Sequence, residues 1–160
     1  EFRVAADVIS CNAAISACEK GSQWRHAVAL LDSLPGLRVT PTVITYNAAI
    51  RASERGGEWQ TALTLFNRMG GLRLRPDAVS YNALLDAVVD CPVAGDIFRE
   101  ALDRRVYPML DRHRDEFDLQ GLSLGAATAA MAWWLSHARR PQAITGWGVA
   151  RGEWDPAETA

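Results

Sequence analysis

VITYNAAIRASERGGEWQTALTLFNRM, residues Val43 to Met69, is written in this chain more than once. Moved back by 35 positions it falls on VISCNAAISACEKGSQWRHAVALLDS, Val8 to Ser33. Moved forward by 35, its first part falls on AVSYNALLDAV, Ala78 to Val88. Self-similarity at a fixed period of roughly 20 to 50 residues marks a stack of one supersecondary unit, each copy burying its apolar face against its neighbours.

Each copy divides into two helical stretches. Apolar and small residues recur at helical spacing as Ile9, Ala13, Ile15, Ser16 and then Ala27, Leu30, Leu31, Leu34. The second copy repeats the pattern as Ile44, Ala48, Ile50, Ala52 and then Ala62, Leu65, Phe66, Met69. Gly21 and the pair Gly56 and Gly57 stand between the stretches, where the chain leaves one helix and turns back. Trp24 and Trp59 open the second helices at the same phase, which points to packing between helices rather than to base stacking. Pro41 and Pro76 follow the second helices and prevent them from running on. In the third copy Asn82 to Phe98 is 16 residues where Asn47 to Phe66 is 19, so three residues are missing, and the inner turn is where the comparison puts the loss. Its second helix is expected over about Val93 to Arg104, as in an atypical terminal repeat.

The expected fold is therefore an all-α solenoid of helical-hairpin repeats followed by a small partial α/β segment. The units are 8–42, 43–77 and a shortened 78–109. Residues 1–7 read as the tail of an upstream repeat, because Val4 and Asp7 stand one period before Val39 and Thr42, which suggests that the chain begins inside a longer array. Residues 110–160 form a linker and a separate segment. With 49% apolar residues in 160, the chain has the means to build a core, and no apolar stretch is long enough to span a bilayer. A net charge of −2 argues against indiscriminate phosphate binding and leaves selective, groove-based binding open. Arginine supplies all but one of the 17 basic residues, which suits bidentate phosphate contacts and equally reflects a coding bias. Cys11 takes the slot of Tyr46 and Tyr81 and reads as a small buried apolar residue. His26, His113 and His137 have no metal-ligand spacing, and no cofactor, metal or small-molecule substrate is indicated.

VITYNAAI followed by GGEW, ALTLF and RPD at this spacing resembles the pentatricopeptide repeat family over about Val8 to Met109. The resemblance implies a solenoid that binds single-stranded RNA along its concave face, one base per repeat. The residues give their own reason for such a role. Asn12, Asn47 and Asn82 recur in the first turns of the first helices, where asparagine is a mediocre helix former, and its amide offers one donor and one acceptor to a base edge. The alternative is that the asparagine ties the turn between repeats by bonding backbone. Ile9, Ile44 and Val79 lie three residues earlier on the same helical face and would pack against the flat sides of bases. The resemblance places the second base-reading residue just before the next unit, at Thr42, Asp77 and Met109. It associates the pair Asn47 with Asp77 with uracil. At about 1 to 3 kcal/mol per base, three repeats bind weakly once association costs are subtracted.

Beyond Asp115, EFDLQGLSLGAATAAMAWWL reads as a strand ending at Leu119, a turn at Gly121 and a helix from Ser123 to about Ser136. Ser123 is a candidate N-cap, and Gly125 weakens the first turn. Ala143 to Thr145 read as a second strand, which together suggest a parallel βα unit. DLQGLSLGAA with TGWG resembles the Smr (small MutS-related) domain. On that resemblance Asp118 is the motif's acid and the one catalytic candidate, and Thr145, Gly146, Trp147 and Gly148 form its glycine loop. Gln120 stands where that family usually carries histidine, and an amide cannot act as an acid or base near neutral pH, so cleavage is expected to be lost. The expected function is sequence-selective binding of single-stranded RNA. The rival readings are an Smr-type endonuclease and a helical scaffold for protein partners. The family resemblance also suggests a mitochondrion or plastid.

Overall fold

Asp7, Thr42 and Asp77 stand one period apart, each in extended backbone just ahead of a helix. Each side chain accepts the backbone N–H three residues on, from Ser10, Thr45 and Ser80 respectively, which satisfies one of the otherwise orphaned donors of a helix start. These caps fix where each repeat begins. In this computed structural model, which describes residues 7–111, 117–137 and 144–145, they open α1 (Val8–Lys20), α3 (Val43–Arg55) and α5 (Ala78–Ala87). The second helices are α2 (Trp24–Ser33), α4 (Trp59–Gly71) and α6 (Ala94–Asp103).

The turn from first to second helix is closed by a left-handed residue, Ser22 at φ 52° in the first repeat and Gly57 at φ 72° in the second. In the third repeat Pro92 takes that place. Proline cannot reach positive φ, so the turn is rebuilt: α5 stops at Ala87 and Val88 to Val93 carry the chain to α6. The first residues of the second helices, Trp24, Trp59 and Ala94, are nevertheless each 35 apart. The second helices end in a second recurring motif, a left-handed arginine at Arg38, Arg73 and Arg105. The next N–H reaches back to Leu34, Met69 and Ala101. That motif is spaced by 35 and then 32. From Ile97 onward the third repeat is in a register of 32, because Ile97, Phe98 and Ala101 are buried where Leu65, Phe66 and Met69 are; the three residues are therefore lost around the turn between α5 and α6, as the comparison of the copies expects.

Stacking determines burial. α3 packs on both α1 and α5, and eight of its thirteen residues are buried. α1 is packed on one side among the described residues, and Ile15 is its one buried residue. For the same reason Cys11 is only half-buried, against 1% and 0% exposure for Tyr46 and Tyr81. The core runs as one cluster through Leu31, Ile50, Leu65, Met69, Leu84 and Phe98. Trp24 lies against Gly56 of the next repeat, so close that a Cβ there would run into its ring; the tryptophan is an inter-helix packing residue. Phe66 meets Tyr81 edge-on at 4.9 Å and links the second repeat to the third. Tyr81 donates to Glu100, and burial pushes its hydroxyl up to about 12.

A short 3-10 turn (Pro108–Asp111) precedes the last described elements: β1 (Phe117–Asp118), α7 (Leu124–His137) and β2 (Ile144–Thr145). β1 and β2 pair in parallel over two residues each, Phe117 with Ile144 and Asp118 with Thr145. Two residues per strand form no sheet layer, and the described architecture is a helical solenoid. α7 stacks on α5 and α6 as α3 stacks on α1 and α2. Ser123 caps it by accepting the N–H of Ala126, and Gly125 sits at its closest approach to α5, where a Cβ would meet the Leu85 carbonyl oxygen. Among the described residues no helix is long and apolar enough to cross a membrane.

Candidate nucleic-acid interface

Three large apolar side chains stand in water at the same place in successive first helices: Ile9 is 76% exposed, Ile44 68% and Val79 41%. Nothing in the hydrophobic core needs them there, and their repetition at the period sets them apart from scattered surface residues. Three residues further along each helix lies the recurrent asparagine.

Asn47 is almost fully buried and forms the centre of a side-chain network that joins two repeats. Its Oδ1 accepts the Ser80 hydroxyl at 2.6 Å, and its Nδ2 donates to Asp77 Oδ1 at 3.2 Å. Ser80 Oγ also accepts the backbone N–H of Asp77 at 3.2 Å. The carboxylate decides which way the amide faces. Were the amide turned over, its oxygen would oppose Asp77 Oδ1, acceptor against acceptor, so Nδ2 is held toward the acid. Burial alone would raise the Asp77 pKa, but hydrogen bonds from the Ser80 N–H, the Ser80 hydroxyl and Asn47 outweigh it and hold the carboxyl below its ordinary 3.8. Asp77 is therefore ionised at neutral pH. Its Oδ2 and the second Nδ2 proton of Asn47 have no partner among the described residues.

The first repeat has the same plan with one difference. Thr45 Oγ1 lies 2.7 Å from Asn12 Oδ1, accepts the Thr42 N–H at 3.0 Å and lies 3.1 Å from the Thr42 hydroxyl. Every member here can donate as well as accept, so the Asn12 amide is not locked in one orientation. Asn12 and Asn47 thus do tie neighbouring repeats together, through hydroxyl and carboxylate side chains rather than through backbone. Ser10, Thr45 and Ser80 share the period of 35 and were the available sequence signal for these positioning hydroxyls.

The third repeat differs in kind. Asn82 Oδ1 accepts the Tyr107 hydroxyl at 2.9 Å, and its Nδ2 donates to the Gly121 carbonyl at 3.1 Å. Burial pushes the Tyr107 hydroxyl well above its ordinary value, so it stays a neutral donor. The next stacked helix is capped by Ser123, whereas Met109 lies inside the 3-10 turn and begins no helix. Asp118 and Thr145 contribute backbone to the two-residue bridge. Gly146, Trp147, Gly148 and His113 lie outside the described residues, as do residues 1–6. His26 is exposed.

These features define a helical-hairpin solenoid whose first helices present an apolar residue and an amide at each step. Residues 3–55 match the family model described as pentatricopeptide repeat domain, and residues 41–90 match the PPR repeat family model. Together the matches span more than half of the chain, which belongs to the pentatricopeptide repeat family. Repeats of this family are generally RNA-binding. A search of curated proteins found no significant match.

Proposed function

We propose that the chain is a sequence-selective binder of single-stranded RNA, with a role in organellar RNA processing or stability. The observation that carries this reading is the pairing of an exposed branched residue with an oriented polar pair in one repeat: Ile44 beside Asn47 and Asp77. Ile9, Ile44 and Val79 are spaced to lie between successive bases, with the amides at the base edges. Asn47 offers a donor and Asp77 an ionised acceptor. A carboxylate favours a base with a ring N–H on its pairing edge, which uracil and guanine have, and repels the ring acceptor that cytosine and adenine present there. That agrees with the preference for uracil implied by the family resemblance. The pair Asn12 with Thr42 carries no fixed charge and reads less strictly.

Residues 110–160 are read as a linker and a partial Smr-like segment without cleavage activity. The parallel bridge flanking α7 supports an α/β element there, and Gln120 in place of histidine supports the loss of chemistry. Cleavage of RNA by purified chain with divalent metal, abolished by Asp118→Asn, would reverse that part of the reading. A protein scaffold is the rival for the repeats. Binding of labelled oligo(U), oligo(A), oligo(G) and oligo(C) at one stated salt concentration separates the two. Oligo(U) is expected to bind best and Asn47→Ala to weaken it about tenfold; equal affinities that Asn47→Ala leaves unchanged would favour the scaffold.

A further inference from the structure

Asn82 has the same place in its repeat as Asn12 and Asn47, and on RNA reading alone it would be a third base-contacting position. Its amide is already engaged on both sides. Nδ2 finds an acceptor in the Gly121 carbonyl and Oδ1 finds a donor in the Tyr107 hydroxyl. An acceptor beside a donor is the complement that a base edge would present. The groups that supply it are held in place from several directions. Ser123 Oγ donates to the Asn82 carbonyl at 3.2 Å, the Gly125 N–H donates to Asp86 Oδ1 at 2.7 Å, and Trp133 of α7 meets Phe98 at 6.4 Å. The carboxylate of Asp86 also lies at the N-terminus of α7, where the helix dipole favours it.

We infer that the segment 119–137, together with Tyr107, is an internal stand-in for a nucleotide at the third repeat. With α7 docked the array reads RNA at Asn12 with Thr42 and at Asn47 with Asp77, and undocking of α7 withdraws the Gly121 carbonyl and frees Nδ2 of Asn82 to meet a base, while the Tyr107 hydroxyl stays on Oδ1. This inference rests on the RNA-binding reading above. It makes the tail a determinant of how many nucleotides the chain reads, and it gives the third asparagine a role that its periodicity does not disclose.

The test follows the side-chain amide resonances of Asn12, Asn47 and Asn82 in the full chain during titration with oligo(U). The Asn47 signals, and to a lesser degree those of Asn12, are expected to shift while those of Asn82 stay in place. In Gly125→Val, and in the milder Asp86→Ala, loss of hydrogen-exchange protection along α7 should report undocking, and the Asn82 signals should then move with the RNA. Movement of Asn82 together with Asn47 in the wild type would overturn the inference and leave the RNA reading standing. An undocked variant in which Asn82 still ignores RNA would overturn it as well. If neither Asn12 nor Asn47 responds in the wild type, the RNA reading fails and the inference falls with it.

Discussion

At the scale of single residues, the repeats use one small network for two purposes. The residue before α3 and before α5 is at once the N-cap and a member of the preceding asparagine's network, so on the proposed RNA reading Thr42 and Asp77 cannot be altered for specificity without touching a helix start. Ser80→Ala should remove the hydroxyl that bonds Asn47 Oδ1, leave a buried acceptor unpaired and cost about 1–3 kcal/mol in denaturant unfolding. Ser80→Thr should recover most of that loss. The acid sets a pH window. Because the folded-state pKa of Asp77 lies below its ordinary 3.8, its stabilisation is fully present above that value and is lost as pH falls through the lower folded value. Helicity of α5 followed by amide signals during acid titration should therefore hold down to about pH 3.8 and decline only below it. The asparagines, their apolar neighbours, Thr42 and Asp77 stand out in the sequence because each recurs at the period, whereas Met109, expected as the third second position, lies in the 3-10 turn and begins no helix. The occupation of Asn82 was not legible there, since Tyr107 and Gly121 reach it from segments that belong to no repeat.

At the scale of elements, the turns explain what the hydrophobic pattern could not. Ser22 occupies the left-handed position that Gly57 fills one period later, at an expected cost of about 1 kcal/mol for a residue with a Cβ. Ser22→Gly should therefore raise the midpoint of thermal unfolding. Gly56→Ala should lower it, since the new Cβ would run into the Trp24 ring and force a shift worth about 1–3 kcal/mol. The starts of all six repeat helices could be read from apolar spacing and period. The end of α5 could not, because Pro92 acts through a forbidden φ rather than through hydropathy. Gly125 looked like a flaw in the first turn of α7, and in the structure it is the point of contact with α5; a helix-to-helix approach leaves no trace in the periodicity of either helix.

At the scale of the whole molecule, stacking places the best-buried helix, α3, at the centre of the described array, with Asn47 on it and Asp77 at the start of its neighbour. The repeat with the most packing support is also the one with a locked donor and an ionised acceptor. Two ion pairs cross repeats, Arg55 with the largely covered Glu19 at 3.4 Å and Arg68 with Asp32 at 2.8 Å; the second is exposed on both sides and adds little beyond alignment. A net charge of −2 leaves discrimination to the base edges rather than to the phosphates. The claim at the centre of this account is that the Asp77 carboxylate, beside Asn47, selects a base with a ring N–H. The ratio of oligo(U) to oligo(C) affinity at one salt concentration, measured for the wild type and for Asp77→Asn, tests it most directly. The wild type should prefer oligo(U) by about tenfold, within the 1–3 kcal/mol of one oriented base contact, and Asp77→Asn should bring the ratio close to one. A ratio that Asp77→Asn leaves unchanged, or one near unity in the wild type, would contradict it.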